Sequence, residues 1–262
     1  MSVIVFQGNT QVEQLSPLDR GFAYGDGLFE SILAAKGELI WWPEHWQRLA
    51  LGAQRLGIDL PNEPMIYQAA LQLAGIKRCV IKIILTRGVS GRGYAPSTGP
   101  ASAIVSMHTA PNLLKAPIAI RWCQTPISQQ PVLAGMKHLN RLENVLARSE
   151  WQDENYFEGL MCDLSGNVIC ATSANLFIYV NNRWLTPDLT NSGINGVSRQ
   201  WFLENIDNIG IQHISRQVVE NAEAIFLCNS VRGMMEVSHI EQIVLAKNTV
   251  LSELNQHFLN CN

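Results

Sequence analysis

The sequence lacks the features that mark several large classes of protein. Neither sign of charge is in strong excess, since 19 lysines and arginines stand against 22 acidic residues and the net charge is −3. Without a basic excess, we expect no nucleic acid and no anionic membrane as a partner. No stretch approaches the roughly 18 consecutive apolar residues that span a bilayer. The N-terminus also lacks a basic and then apolar targeting pattern, so we expect a cytoplasmic protein.

Paired cysteines are missing as well. The six cysteines are scattered, and none of them stands in a CxxC pair, the spacing typical of zinc sites and redox motifs. Several lie inside apolar segments, which favours buried, reduced thiols over a disulfide framework. The sequence therefore predicts neither a disulfide-stabilised fold nor a metal site.

Apolar residues, by contrast, are plentiful: 47% of the 262 residues are hydrophobic and only 16% are charged. A chain of this length can form one large domain or two modest ones. The segments CVIKIILTRG and ASAIVSMH are rich in apolar residues and bounded by glycine or proline, which predicts strands. The apolar spacing after Pro43 predicts a helix that stops at Gly57. This mixture indicates an α+β fold with two mainly antiparallel lobes.

The stretch TAPNLLKAP, residues 109–117, is the best candidate for a linker between the lobes. It contains two prolines and no apolar period, as is typical of connecting segments. The sequence therefore predicts a smaller N-terminal lobe at 1–108 and a larger C-terminal lobe at 118–262. Within the second lobe, a helix is expected from about Leu139 to Trp151.

Lys137 stands out in the stretch LAGMKHLNRLENVLARSEW. Four small or apolar residues precede it, and no acidic residue follows until Glu143. Most lysines are solvated surface charges, which is the default interpretation of any single lysine. An amine shielded by apolar neighbours loses its proton more readily, however, and a neutral amine is what Schiff-base chemistry requires. The local pattern permits either interpretation.

Two further motifs could bind an anion. In GINGVSRQ, glycines lead into a predicted helix, so the free N–H groups of Gly196, Val197 and Ser198 could hold a phosphate. An ordinary turn into a helix is the commoner explanation, and the absence of GxxxxGK[ST] argues against a nucleoside-triphosphate site. The motif CNS ends an apolar strand in small polar residues, so Asn229 and Ser230 could add phosphate contacts.

Several cationic side chains could meet acidic groups of a ligand. Arg48 lies near the apolar face of the helix after Pro43, where a packed stem with a solvated head is the default. It could instead reach a phosphate by paired hydrogen bonds. The segment TRGVSGRGY presents Arg87, Arg92 and Tyr94 in a predicted flexible loop that could bind substrate carboxylates. A solvated basic loop would have the same sequence.

Taken together and in this order, the motifs resemble those of the fold-type IV pyridoxal-phosphate enzymes, over nearly the whole chain. That group includes branched-chain and D-amino-acid aminotransferases and the aminodeoxychorismate lyases. The motifs are DRGFAYGDGLFE, HWQRL, TRGVSGRGY, LAGMKHLNRLENVLARSEW, SANLF, GINGVSRQ and CNS. Within the group, RGYAP, and KHLNRLE after LAGM, are similar to the lyases in particular. The resemblance implies the two-lobed fold, pyridoxal 5'-phosphate as cofactor and a homodimer.

The resemblance also implies roles for individual residues. Lys137 matches the lysine that binds pyridoxal phosphate as a Schiff base and later moves protons. Arg48 matches the arginine that binds the cofactor phosphate. The amides of Gly196 and Val197 match the remainder of the phosphate site, and Ser230 falls where a threonine or serine often completes it.

Cys170 departs from the family pattern. The family usually has a glutamate five residues before the asparagine of SANLF, where it keeps the pyridine nitrogen of the cofactor protonated; here that position is Cys170. A thiol is a weak hydrogen-bonding group, so the cofactor should stabilise a carbanion less well. Three interpretations are open: a lyase that tolerates the change, a compensating acid or water, or a paralogue with reduced or altered activity.

The reaction implied by the resemblance converts 4-amino-4-deoxychorismate to 4-aminobenzoate and pyruvate, a step of folate biosynthesis. Lys137 would remove the proton from the ring carbon that bears the amine. The alternatives are a branched-chain or D-amino-acid aminotransferase on the same fold and a weakly active or non-catalytic paralogue.

Overall fold

The computed structural model describes residues 2–96, 99–114, 116–152 and 154–261, with side chains as far as residue 258. The chain forms two compact units. The first is Met1–Pro111 with Met136–Asn140, and the second is Asn112–Gly135 with Arg141–Asn262. The chain therefore passes from one unit to the other three times, after residues 111, 135 and 140. Lys137 belongs to the first unit, although its position along the sequence lies beyond the predicted linker.

The first unit is built on a six-stranded sheet. Its strands are β1 (Val3–Gln7), β2 (Thr10–Val12), β3 (Gly27–Ala35), β4 (Glu38–Leu39), β5 (Cys79–Thr86) and β6 (Ser102–Thr109). They pair antiparallel in the order β2-β1-β6-β5-β3-β4. The helices of this unit are α1 (Arg20–Tyr24), α2 (Trp42–Leu56) and α3 (Glu63–Ala74).

Local sequence explains most of these elements. Strand β5 alternates buried and half-buried residues along most of its length, as a strand with one face in the core should. Helix α2 has a proline in its first turn and ends at Gly57, which adopts a left-handed backbone. The predictions of strands at β5 and β6 and of a helix from about Pro43 to Gly57 are thus confirmed.

The second unit is built on a larger, mixed sheet. Its strands are β7 (Ile118–Trp122), β8 (Glu158–Cys162), β9 (Val168–Ala171), β10 (Asn175–Val180), β11 (Arg183–Pro187), β12 (Gly210–Gln212), β13 (Ala224–Asn229), β14 (Gly233–Ile240) and β15 (Ile243–Val244). The order is β12-β11-β10-β13-β14-β7-β8-β9, with β15 paired to β14. The pairs β11–β12, β7–β14 and β7–β8 are parallel. The helices are α4 (Leu142–Ser149), α5 (Val197–Asn205), α6 (Arg216–Glu220) and α7 (Thr249–Cys261). The predicted α+β fold with two mainly antiparallel sheets is confirmed.

The predicted start of the helix near Leu139 is wrong, because α4 begins at Leu142. The residues before it are irregular and form an isolated antiparallel bridge with β3 instead, between His138 and Leu28. The carbonyl of Lys137 accepts a hydrogen bond from the Phe29 N–H at 2.9 Å, and the Leu139 N–H donates to the Gly27 carbonyl at 3.0 Å. This tertiary pairing overrides the helical period of the sequence and fixes the backbone of the lysine.

The five cysteines whose side chains the structure describes are buried and free, as the sequence predicts; the side chain of Cys261 lies outside the described part. Among the described residues, no group of three or more His, Cys, Asp and Glu side chains is placed to hold a metal ion. No helix in the described ranges is long and apolar enough to cross a membrane.

Candidate active site

Lys137 is held against strand β3 of the first unit. Its side chain is half-buried, and its Nζ lies 4.3 Å from the centre of the Phe29 ring. The face of an aromatic ring attracts a cation while shielding it from water on one side. The segment is also tied at its end, since the Asn140 side-chain amide donates to the Gly25 carbonyl at 3.2 Å. The amine is thus placed beside the Phe29 ring by the backbone bonds of Lys137 and Leu139 to β3 and by the Asn140 side chain.

A buried cluster of charged and polar side chains lies in the same unit. Glu30, on β3, is only 1% exposed. Arg48 donates to it twice, from Nε to Oε1 at 2.8 Å and from Nη2 to Oε2 at 2.5 Å. His45, one turn earlier on α2, places Nδ1 2.6 Å from Oε2. Both helix residues therefore meet one carboxylate.

The cluster fixes the ionisation of its members. Burial alone would raise the pKa of Glu30, but the charge of Arg48 and the hydrogen bonds from His45 and Arg48 outweigh it and hold the pKa at about 2. Burial lowers the pKa of His45, and the charges of Arg48 and Lys137 lower it further against the opposing effect of Glu30. Glu30 is thus ionised, and a neutral His45 donates to it from Nδ1.

Sequence reasoning selected Arg48 but missed Glu30 and His45. The signal for Glu30 was present in the strand GLFESILAA. Leu28, Glu30, Ile32 and Ala34 alternate with less buried residues, so the glutamate occupies a position that faces the core. A charged residue at such a position requires a partner of opposite charge.

Arg87 is the clearest correction among the predicted site residues. The expectation that it lies in a flexible loop is wrong, because its side chain is buried at the end of β5. Its guanidinium donates to the Asp26 carboxylate at 2.8 and 3.1 Å, to the Gly57 carbonyl at 2.7 Å and to the Leu56 carbonyl at 2.8 Å. These bonds join α2 to the segment before β3, so the contacts of Arg87 are structural.

The loop after Arg87 is held by another arginine that sequence reasoning missed. Arg20 is buried and donates to the hydroxyl of Ser90 at 3.0 Å and to the carbonyls of Gly93 and Tyr94 at 2.9 and 3.3 Å. Arg92 and Tyr94 are exposed on this loop. A role for these two side chains in binding substrate stays a prediction.

In the second unit, helix α5 begins as the GINGVSRQ motif predicts. Gly196 is the N-cap residue, no side chain caps the helix, and no acidic residue lies in its first turn. A Cβ atom at Gly196 would come within 2.1 Å of the Asn175 Oδ1 atom, so only glycine fits this approach. Within the described residues, the helix therefore begins without a capping side chain and without an acidic first turn, an arrangement that suits an anion.

The CNS motif forms the turn at the end of β13. The Oδ1 atom of Asn229 accepts from the N–H groups of Val231 and Arg232 at 3.1 and 2.8 Å, and its Nδ2 donates to the Ser173 carbonyl at 3.3 Å. Asn229 thus shapes the turn that carries the half-buried Ser230. Direct contact of either residue with a phosphate stays a prediction.

Cys170 is fully enclosed in the second unit. Burial raises the pKa of its thiol to about 12; the charge of Arg141 opposes this shift, and that of Glu158 adds to it. The thiol is therefore neutral over the physiological pH range. A negative charge at this position is absent.

A buried carboxyl group lies close to Cys170. Glu158 accepts hydrogen bonds from the hydroxyls of Thr172 and Ser173 and from the Gly159 N–H, and burial raises its pKa despite these bonds. Sequence reasoning missed Glu158, although it stands in EGLMC, a strand that is buried throughout. It is a candidate for the compensating acid considered above.

Comparison with known proteins places these features in context. The sequence matches the family model described as amino-transferase class IV over residues 27–240. It is 34% identical over 236 residues to the aminodeoxychorismate lyase of Vibrio harveyi, covering 85% of this chain and 86% of that protein. The crystal structure of 4-amino-4-deoxychorismate lyase from Pseudomonas aeruginosa has a TM-score of 0.90 at 34% identity and covers 97% of both chains.

A more distant solved structure is the branched-chain amino acid aminotransferase from Escherichia coli, with a TM-score of 0.84. The identity is 18%, and the match covers 99% of this chain and 94% of that one. At this identity, the similarity concerns the fold alone.

Proposed function

The chain belongs to the class IV aminotransferase family, and from that premise we propose that it is a pyridoxal-phosphate-dependent lyase. Its reaction converts 4-amino-4-deoxychorismate to 4-aminobenzoate and pyruvate. The observation that carries this assignment is the 34% identity to two lyases of that name over most of the chain, one of them superimposing with a TM-score of 0.90. Folate biosynthesis is the corresponding pathway.

Each unit contains residues whose chemistry suits one group of pyridoxal phosphate. Lys137, on its apolar surface beside Phe29, fits the aldehyde carbon. Within the first unit, Arg48 suits a phosphate through paired hydrogen bonds. Within the second unit, the N-terminus of α5 with its closely packed Gly196 suits an anion of the same kind. When bound, pyridoxal phosphate withdraws electrons from the substrate carbon that carries the amine.

The protein's own contribution to the chemistry is the positioned amine. Lys137 Nζ takes the proton from the ring carbon that bears the amino group. The C–O bond between the ring and the side chain then breaks, and the enolpyruvate that leaves takes up one proton to give pyruvate. Loss of the proton and of this group makes the ring aromatic, which supplies much of the driving force. The neutral Cys170 thiol is compatible with this reaction, because aromatisation removes charge that a transamination would leave on the cofactor.

An assay with two substrates tests the proposal. Purified protein given aminodeoxychorismate should release 4-aminobenzoate and pyruvate in equal amounts, and the K137A variant should release neither. The wild-type protein should also show a near-ultraviolet or visible absorption band with pyridoxal phosphate that K137A lacks. Pyruvate formed from D-alanine and 2-oxoglutarate, without lyase product, would instead identify an aminotransferase. A colourless wild-type sample would identify a non-catalytic paralogue.

The proposal includes a homodimer in the cytoplasm. On helix α4, Leu142, Val145 and Leu146 are 76%, 60% and 57% exposed. Their spacing puts them on one face of the helix, and clustered exposed apolar side chains are typical of interaction surfaces. The free cysteines in the described part of the chain support a reducing compartment.

A further inference from the structure

We propose that Glu30 is a positioning residue that orients the Arg48 guanidinium towards the cofactor phosphate, with His45 securing Glu30 from the other side. This inference rests on the proposed function, because it assumes that pyridoxal phosphate is the ligand. It adds two residues whose role is to fix the geometry of phosphate recognition.

The first argument is the geometry of the Glu30–Arg48 pair. Nε and Nη2 of Arg48 donate to the two different carboxylate oxygens, at 2.8 and 2.5 Å. Two parallel bonds of this kind fix the plane of a guanidinium, as a single bond cannot. The orientation of Arg48 is therefore set by Glu30 before any anion arrives.

The second argument is the way in which Glu30 is itself held. Oε2 faces the His45 Nδ1 at 2.6 Å, and both side chains are 1% exposed. His45 and Arg48 lie three residues apart on α2, so one helix face meets the carboxylate from two directions. The His45 Nε2 atom is buried and makes no hydrogen bond within the described residues. Glu30 is thus the hydrogen-bond partner of the His45 ring among the described residues.

The third argument connects this cluster with Lys137. Phe29 holds Lys137 through a backbone hydrogen bond of 2.9 Å and the face of its ring, and the next residue of β3 is Glu30. Two consecutive residues of one strand therefore fix the amine and the guanidinium. A cofactor bound at its aldehyde and its phosphate needs a defined distance between these two groups.

The charge of Glu30 and its role in orienting Arg48 have opposite effects on phosphate binding, and this makes the inference testable. The negative charge of Glu30 reduces the attraction of Arg48 for a phosphate, so a neutral residue at position 30 would strengthen binding if charge alone decided affinity. If orientation decides, the same change weakens the binding of phosphate-containing ligands only. Pyridoxal, which has the aldehyde but no phosphate, separates the two cases.

The experiment measures the dissociation constants of pyridoxal 5'-phosphate and pyridoxal for the full-length apoprotein by absorption of the bound ligand. In the E30Q variant we expect pyridoxal phosphate to bind about tenfold more weakly, the loss that misplacing a charge-assisted bond produces, and pyridoxal to bind as in the wild type. E38Q is the matched control, because Glu38 is exposed on β4. E30D, which keeps the charge but shortens the reach, should show the same selective loss and serves if E30Q fails to fold.

Variants of His45 test the support of Glu30. In H45N the side-chain amide can replace Nδ1 as the donor to Glu30, so this variant should retain its preference for pyridoxal phosphate over pyridoxal. H45L has no donor there and should lose part of that preference. Equal or tighter binding of pyridoxal phosphate by both E30Q and E30D, or an equal loss of pyridoxal, would overturn the inference while leaving the proposed function intact. Wild-type protein that binds neither ligand would overturn both.

Discussion

At the scale of single residues, Cys170 limits the electrostatics of the candidate site. Burial raises the pKa of its thiol to about 12, so Cys170 carries no negative charge at physiological pH. Glu158 is the buried carboxyl group nearby; burial raises its pKa, and it accepts hydrogen bonds from the hydroxyls of Thr172 and Ser173. We expect the reaction proposed above to tolerate this arrangement because its product is aromatic.

Replacing Cys170 with glutamate tests that tolerance. We expect C170E to change the turnover of aminodeoxychorismate by less than about tenfold, since the ring nitrogen is not the main source of the driving force. The measurement is kcat with saturating cofactor, and C79S, a buried thiol of the first unit, is the control. A gain of several orders of magnitude would show that a deep electron sink is required after all.

The lowered pKa of Glu30 leads to a second prediction, which concerns the free energy of unfolding at acidic pH. Its folded-state pKa of about 2 lies below its ordinary value of 4.5, so ionised Glu30 stabilises the fold above pH 4.5, and this contribution disappears as the pH falls from 4.5 towards 2. The full effect is about 3 kcal/mol. The free energy of unfolding of the wild type, minus that of E30Q, should therefore decrease over this range in denaturant titrations. Parallel pH profiles for the two proteins would contradict the assignment.

At the scale of elements, the sequence predicted those structures whose period is local. Strands β5 and β6 and helix α2 follow from alternation, helical spacing, a proline and a glycine. The five-residue helix α1 is too short for a period; it depends on the Asp19 side chain, which accepts from the Gly21 N–H. The backbone position of Lys137 depends on its hydrogen bond to Phe29 of β3, and such long-range partners are not visible in the sequence.

The same limit applies to the candidate site. Motif resemblance selected Lys137 and Arg48, but the partners of a buried charge depend on which elements pack together. Glu30 and His45 are 15 residues apart in the sequence, and Arg20 and Gly93 are 73 apart. Only the fold brings these pairs together.

The N-terminus of helix α5 gives a prediction at this scale. In G196A, the new Cβ would lie 2.1 Å from the Asn175 Oδ1 atom, so the turn must shift, at a cost of about 1–3 kcal/mol. We expect a lower melting temperature and weaker binding of pyridoxal phosphate. G91A is the control, because a Cβ at Gly91 would meet no atom within 4 Å. Unchanged binding in G196A would remove this helix end from the proposed phosphate site.

At the scale of the whole molecule, the exposed apolar face of α4 predicts self-association. The wild-type protein should elute at about twice the 29.2 kDa of one chain in size-exclusion chromatography with light scattering. L142E with L146E should shift it towards the monomer, because two charges would be desolvated in the interface. L164E, an equally exposed leucine away from α4, is the control. A monomeric wild type, or a double variant that stays dimeric, would contradict the proposed interface.

Because the chain passes between its units three times, recombination of the gene cannot easily exchange one unit for that of another protein. The lysine that the proposed chemistry needs is encoded among residues of the second unit but is held by a strand of the first. No single crossover in the gene can therefore exchange one unit intact, since a break after residue 111 separates Arg48 from Lys137. A fragment that ends at residue 111 would carry Glu30, His45 and Arg48 without Lys137.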